Sequence, residues 1–316
     1  MQSSGETDIL ATIGTRGSPL ALAQAHEVRG RLARAHQVEP ERIVIKTIRT
    51  SGDAIQDRPL FDVGGKGLFT KEIEEALLAG SIDFAVHSSK DVPTFLPDAT
   101  WLPAFLPRED VRDVFISPRA GSLKDLPAGA TVGTASLRRQ AMVLRLRPDL
   151  KVNSLRGNVE TRLRKIAAGE ADATLLALAG LNRLGLQDKA TRVLEVDEFL
   201  PAVGQGAIAI ESRRDDDRIN SFVKAIGDSE TEVALSAERS FLALLDGSCR
   251  TPIGGHCRVN GDRIHFRGLI ISPDGKESYE TTREGGRADA IALGADAARE
   301  LRERAGEKFF TLFAGA

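Results

Sequence analysis

Cysteine is nearly absent from this chain: Cys249 and Cys257 are the two among 316 residues. Two thiols cannot build a disulfide framework, so a reducing, cytoplasmic setting is expected. Long apolar runs are missing too. The longest, from Ala173 to Leu181, falls far short of the roughly 20 residues that span a bilayer, which excludes a membrane helix. The opening residues MQSSGETD show neither the basic n-region nor the apolar h-region of an export signal. Nor is there an excess of one charge: 43 Lys+Arg stand against 45 Asp+Glu, a net charge of −2, which removes any global case for nucleic-acid binding. With 41% hydrophobic residues the composition also argues against disorder. No internal repeat or low-complexity tract is visible.

What the chain does have is length and alternation. At about 100–200 residues per domain, it has room for two or three domains. Its first two thirds alternate strand-like runs (Ile9–Gly14, Arg42–Ile48, Ile82–Val86, Val114–Ser117, Thr131–Gly133, Leu150–Ser154, Ala173–Ala177) with helical patterns (Leu20–Ala35, Phe69–Ala79, Leu137–Leu146, Val159–Ala168). That order predicts α/β architecture with a mostly parallel sheet. A Pro-rich break from Pro93 to Pro107 separates two strand series, so two α/β domains are expected. Residues 201–206 (PAVGQG) precede another strand, Ile208–Glu211. From about Glu230 the pattern becomes helix, β-like runs (Cys257–Val259, Arg263–Ile271) and a last helix near Arg287–Arg302, a small α+β third domain.

Three predicted strand-to-helix turns share one chemistry: Gly14-Thr15-Arg16-Gly17-Ser18-Pro19; Gly133-Thr134-Ala135-Ser136-Leu137-Arg138-Arg139; and Leu155-Arg156-Gly157-Asn158, followed by Arg162. In an open parallel sheet such turns lie at the carboxyl ends of strands, where ligands bind. Helix N-termini favour anions, and Ser or Asn there caps the helix or meets a ligand. Arginine adds bidentate donors matched to carboxylate or phosphate. Any one such turn reads equally as a capped helix with a solvated Arg; three at corresponding positions point to a ligand with several negative groups. Among these cations stands one acid, Asp91, in Val86-His87-Ser88-Ser89-Lys90-Asp91. A carboxylate there could pair with a substrate ammonium or pass a proton to a leaving group, or it could be a turn Asp satisfied by Lys90 and backbone N–H groups.

Val63-Gly64-Gly65-Lys66-Gly67 suggests a phosphate loop, but Leu60 stands where the motif's first glycine belongs and Gly67 follows Lys66. A Gly-rich loop that can cover a ligand is the better description. Cys249 lies in the small-residue loop Asp246-Gly247-Ser248-Cys249-Arg250 just after a helix. Access and the neighbouring Arg250 suit a nucleophile or covalent attachment point. Cys257, in a β-like run, reads as a buried structural thiol, and His26 and His36 as ordinary surface or packing residues. A zinc site from Cys249, His256, Cys257 and His265 matches no standard spacing.

Seven ordered segments, TRGSPLALAQ (15–24), GGKGLFTKE (64–72), AVHSSKDVP (85–93), GTASLRRQ (133–140), LRGNVETRL (155–163), PAVGQGAIAIE (201–211) and DGSCRTPIGG (246–255), closely resemble the porphobilinogen deaminase (hydroxymethylbilane synthase) family of tetrapyrrole biosynthesis. The resemblance implies two periplasmic-binding-protein-like doubly wound domains with a cleft between them, plus a small α+β third domain. It places domain 1 at 1–106 and 207–226, domain 2 at 107–206 and domain 3 at 227–316. It implies a transferase that condenses four porphobilinogen molecules head to tail with loss of ammonia. The cofactor implied is one dipyrromethane per chain, bound covalently to Cys249 by a thioether.

By the same matching, Asp91 corresponds to the catalytic acid. Arg16, Ser18, Lys66, Lys90, Ser136, Arg138, Arg139, Arg156, Arg162, Arg183 and Gln205 correspond to residues that hold cofactor and substrate. A monomer with a small-molecule partner, and neither nucleic acid nor membrane, is expected. Ser89, Ala135 and Asn182 depart from the commonest family wording, where Met, Ser and Lys are frequent. Two readings compete with this one: a non-catalytic receptor for a polycarboxylate, which needs neither Asp91 nor Cys249, and a nucleotide-dependent enzyme, disfavoured by the failed phosphate loop.

Overall fold

The computed structural model describes residues 8–54, 69–245 and 252–314. The chain opens with β1 (Ala11–Arg16), whose C-terminal turn passes directly into α1 (Pro19–His36). Ser18 caps that helix by accepting from the Ala21 N–H, and Pro19 takes the first position, where its missing N–H is no loss. There follow β2 (Ile43–Ile48), α2 (Ser51–Ala54), α3 (Lys71–Leu78), β3 (Phe84–Ser88), β4 (Thr100–Phe105) and β5 (Asp113–Ile116). Next come β6 (Thr131–Gly133), α4 (Leu137–Leu146), β7 (Lys151–Asn153), α5 (Val159–Ala167), β8 (Ala173–Ala177), α6 (Leu178–Arg183), β9 (Arg192–Val193), β10 (Ile208–Arg213) and α7 (Asp217–Lys224). The last part holds α8 (Ser229–Leu244), β11 (Ile253–Asn260), β12 (Arg263–Ile271), β13 (Ser278–Gly286) and α9 (Ala290–Ala314). Ser136, Asn158, Asp216 and Asp228 cap α4, α5, α7 and α8 in the manner of Ser18.

Among the described residues these strands form two five-stranded sheets and one three-stranded sheet. The first runs β2-β1-β3-β10-β4 and the second β7-β6-β8-β5-β9. Each is mixed rather than mostly parallel. β1 pairs parallel with β2 and β3, whereas β10 runs antiparallel to β3 and β4. Likewise β6 pairs parallel with β7 and β8, and β5 runs antiparallel to β8 and β9. The reversal has a chain-level cause, since β10 returns from the second sheet into the first instead of arriving through a right-handed crossover. The Pro-rich stretch 93–107, expected as a break, contains β4. Pro103 is tolerated because β4 is an edge strand, with no ladder bond for its missing N–H to lose on that side.

Burial follows the sheets. Ile13, Val28, Leu32, Phe84, Val86, Ile208 and Val223 form the core of the first, each fully buried aliphatic side chain contributing about 1.5–3 kcal/mol. Phe115, Val132, Met142, Leu175 and Phe199 form that of the second, joined there by Leu269 and Ile271 from β12. In the third unit, the antiparallel sheet β11-β12-β13 packs on α8 and α9 through Phe241, Phe266 and Leu301. Leu235 of α8 also packs with Val92, Phe105 and Ala207 of the first sheet and the crossing segment. The third unit therefore touches both others. His36 finds a packing role, stacking on Phe222 with ring centroids 4.1 Å apart and Nε2 2.8 Å from the Phe222 carbonyl oxygen.

Candidate functional site

The strand ends carry the chemistry. Arg16 closes β1, and its guanidinium lies 4.1 Å from the centroid of the Phe69 ring. The Ser18 hydroxyl is taken up by capping, as is that of Ser136, which accepts from the Arg139 N–H. At the end of β3, Gln24 of α1 donates to the Ser88 hydroxyl at 2.9 Å. The chain then makes a single tight turn, Ser89–Asp91. Arg16, Ser18, Gln24, Phe69, His87 and Asp91 line a small cavity of about 60 Å³ there.

The second sheet brings its own turns to the same place. In the third basic turn, Gly157 adopts φ 120°, and a Cβ on it would run into Thr161. Only glycine suits that conformation. Arg162 donates from Nε to the Gly157 carbonyl at 2.8 Å, which holds the guanidinium over the turn. Burial, then Arg139 and Arg156, push the Arg162 guanidinium down to about 10, and Asp91 opposes the shift. Burial and Arg139 likewise push Lys90 down to about 8, against the pull of Asp91 and Asp113. Lys90 and Asp91, in the turn that follows β3 of the first sheet, therefore stand in the field of Arg139 and Arg162 from the second half.

Arg138 and Arg139, expected to hold cofactor and substrate, each also have a partner within the protein. Both are buried on Asp113, itself 0% exposed at the start of β5. Arg138 donates to Asp113 Oδ2 at 2.7 Å and to the Leu200 carbonyl at 2.7 Å. Arg139 donates to Asp113 Oδ1 from Nε at 3.0 Å and from Nη2 at 2.7 Å, and to the Leu175 carbonyl. Burial alone would raise the Asp113 carboxyl, but the two guanidiniums outweigh it and hold it at about 2. Gln205, 1% exposed, donates to the Val111 carbonyl at 2.7 Å and to Asp113 at 3.3 Å, and its Oε1 stands 3.5 Å from Lys90 Nζ. Asp113 escaped the sequence reading because it sits in the acidic run Glu109-Asp110-Val111-Arg112-Asp113, where it looks like one more surface charge. The available signal was its place as first residue of the apolar strand Val114-Phe115-Ile116.

Arg183 lies at the junction of the two halves. It pairs with Glu27 of α1 at 3.4 Å and donates to the Gly206 carbonyl at 2.9 Å. Asn182 donates to Glu109 at 3.1 Å. The crossing segment is pinned further by Glu238 of α8, which takes both Arg108 nitrogens at 2.6 and 3.0 Å and the N–H groups of Gly204 and Cys257 at 2.8 Å each. Cys257 is buried, and desolvation pushes its thiol up to about 12, as befits an inert structural thiol. Lys66 and Cys249 lie outside the described residues.

The site thus gathers Arg16, Lys90, Arg156 and Arg162, with Arg138 and Arg139 behind them, around Asp91 and Asp113. Burial first, and then Arg139, hold Lys90 and Arg162 below their ordinary range, so a negative group brought beside them would be favoured. The site's donor set fits a polycarboxylate, dipyrromethane included.

Comparison with known proteins bears on the same residues. The family model described as "Porphobilinogen deaminase, dipyromethane cofactor binding domain" matches residues 11–221, and that described as "Porphobilinogen deaminase, C-terminal domain" matches residues 233–303. The porphobilinogen deaminase of Nitrobacter winogradskyi is 94% identical over 316 residues, and that of Nitrobacter hamburgensis 93% identical, each covering 100% of both chains. Among solved structures, a putative methionine-binding lipoprotein from Bacillus subtilis is 14% identical with a TM-score of 0.42, covering 70% of this chain and 91% of its own. The matched models, taken with near-identity along the whole length, place the chain in the porphobilinogen deaminase family.

Proposed function

We propose that this chain is a porphobilinogen deaminase: it joins four porphobilinogen molecules head to tail, releases ammonia at each step and frees hydroxymethylbilane by hydrolysis. The single observation that carries the mechanism is Asp91, a carboxylate on the wall of a small cavity whose other charged neighbours are Arg16, Lys90 and Arg162. Arg16, Lys90, Arg156 and Arg162 would hold the acetate and propionate groups of cofactor and substrate, and Cys249 would carry the thioether. When bound, the dipyrromethane supplies the pyrrole carbon to which the first substrate is joined.

Each side chain then has a stated task. Asp91 accepts hydrogen bonds from the substrate's aminomethyl and pyrrole nitrogens and pairs with the positive charge that develops as ammonia leaves. Arg16, fixed over Phe69, and Arg162, fixed on the Gly157 carbonyl, keep the carboxylates still while that happens. Arg138 and Arg139, held by Asp113, deepen the positive potential behind the site. Ser18 and Ser136 set the helix ends, and Gln205 ties Lys90 to the crossing segment. Arg183 bridges the two halves, and Lys66, by the family resemblance, would hold a ligand group.

The assignment extends to a transferase working as a cytoplasmic monomer, with domains at 1–106 plus 207–226, 107–206 and 227–316. The return of β10 to the first sheet supports that discontinuous first domain. Among the described residues no helix is long and apolar enough to cross a membrane. The test is the intact mass of freshly purified protein with peptide mapping. A dipyrromethane-sized increment on the Cys249 peptide is the expected result. A Cys249 that stays bare after incubation with porphobilinogen would return the chain to the polycarboxylate-receptor reading.

A further inference from the structure

The seam between the two halves holds a carboxylate, Glu27 of α1, that the mechanism above does not use. Arg183, the last residue of α6, meets it there: Glu27 Oε2 stands 3.4 Å from Arg183 Nε, while Arg183 Nη2 donates to the Gly206 carbonyl at 2.9 Å. The helices come close at this point, for a Cβ on Gly180 of α6 would stand 3.5 Å from Leu20 of α1. One residue before Gly206, Gln205 reaches Lys90, so the guanidinium is linked through the crossing segment to the turn that carries Asp91. The Arg183 side chain is 10% exposed. Burial pushes its guanidinium down, Glu27 and Glu109 push it back up, and Arg31 sides with burial.

The charges here balance without a ligand. Among the described residues, those acting most strongly on Arg183 are Glu27, Glu109 and Arg31, so two cations face two carboxylates. A buried cation without a counter-charge is strongly destabilising, and an internal carboxylate serves Arg183 while no ligand carboxylate is there. A ligand carboxylate arriving beside Arg183 leaves one negative charge too many, and one glutamate has to withdraw. Glu109 is tied down: its Oε1 accepts from the Asn182 amide at 3.1 Å and from the Asp110 N–H at 2.8 Å. Glu27 can move. Its side chain is 30% exposed, and Arg31, one helical turn on, already holds its other oxygen, Oε1, from Nε at 3.1 Å and from Nη2 at 3.0 Å. Withdrawal therefore takes one of two cationic partners from Glu27 and leaves no bare charge.

We propose that Glu27 is a positioning residue for chain growth: it serves as a stand-in carboxylate on Arg183 and yields that guanidinium to an acetate or propionate of the lengthening pyrrole chain. The swap exchanges carboxylate for carboxylate, so Arg183 is paired before and after it. It also releases the ion pair between α1 and α6, and the two halves lose one tie at the step at which the chain reaches Arg183. Glu27 acts through Arg183 and touches no reacting atom. The inference deepens the deaminase reading and rests on it, and on Arg183 as a residue that meets cofactor or substrate.

The direction of the effect separates this role from a structural one. Removing an internal competitor strengthens the contact it competed with, whereas losing a merely stabilising ion pair does not. The test is native mass spectrometry of the holoenzyme mixed with limiting porphobilinogen, which resolves the species carrying successive added units, with ammonia assayed in the same mixtures. In Glu27→Gln, and in Glu27→Ala, whose side chain suits a helix at least as well, at least one of these species is expected to rise about two- to fivefold relative to its predecessor, the range for a partly exposed ion pair. If no such ratio rises in either variant, the proposal is overturned. Ammonia release by the wild type tells the two failures apart: with release intact, unraised ratios remove this inference alone, and a wild type that releases none removes the deaminase reading with it.

Discussion

Changing Asp113 to Asn tests the electrostatic core of the site. Asp113 accepts from Arg138 at 2.7 Å, from Arg139 at 2.7 and 3.0 Å and from Gln205 at 3.3 Å, all without solvent. Its carboxyl is held at about 2 against an ordinary 3.8, so the two cations outweigh burial by roughly 2 kcal/mol at 1.36 kcal/mol per unit. Asparagine keeps one acceptor oxygen but points an NH₂ group at guanidinium donors and leaves two buried cations without a counter-charge. Removing one partner of a buried pair costs about 3–5 kcal/mol, and the retained oxygen sets the expectation near the lower end, about 3 kcal/mol. Urea unfolding, followed by circular dichroism and by fluorescence of the single tryptophan, Trp101, measures the loss. Adding Arg138→Met should recover part of it, because one orphaned cation goes too. The sign with pH is fixed: a depressed carboxyl stabilises above its unfolded value, and that contribution fades as pH falls toward about 2. A stability change under about 0.5 kcal/mol, the range of an ordinary surface substitution, would refute the idea that Asp113 anchors the arginine pair.

Two further outcomes follow from the same geometry. Lys90 is held at about 8 by burial and Arg139, so an anionic ligand bound beside it should raise it. Binding of the polycarboxylate near pH 8 then takes up protons, measurable by calorimetry in buffers of different ionisation enthalpy, and the uptake should vanish in Lys90→Met; its persistence there would assign the proton elsewhere. Without ligand the unfolded chain binds the extra proton between about 8 and the ordinary Lys range, so stability should rise with pH across that window. At the crossing segment, Gly206 adopts φ 89° with its Cα facing the Glu109 carbonyl oxygen. Gly206→Ala should cost about 1–3 kcal/mol through strain and displacement, and an unchanged melting temperature would show that the segment can yield.

Much of this was legible in the residues, for identifiable reasons. Ser18, Ser136 and Asn158 sit before apolar-periodic helices, so both the helix starts and the basic turns could be read locally. Asp91 stood out by being the one acid among cations. What depends on distant partners could not be read. Nothing local to Arg138 and Arg139 announces that they pair with Asp113, 25 and 26 residues away. β4 hid inside a proline-rich stretch because only its edge position makes Pro103 harmless. β13 was missed because Ser278–Gly286 is largely polar and borrows its order from β12.

The central claim is that Asp91 serves the loss of ammonia in a site built to hold carboxylates. It is tested most directly by single-turnover ammonia release from porphobilinogen, comparing wild type with Asp91→Asn after intact mass has shown the same bound cofactor in both. The account predicts equal masses and release slowed by about 10²–10⁴ in the variant, the span typical of a lost acid–base group. Equal masses with equal release rates would contradict it.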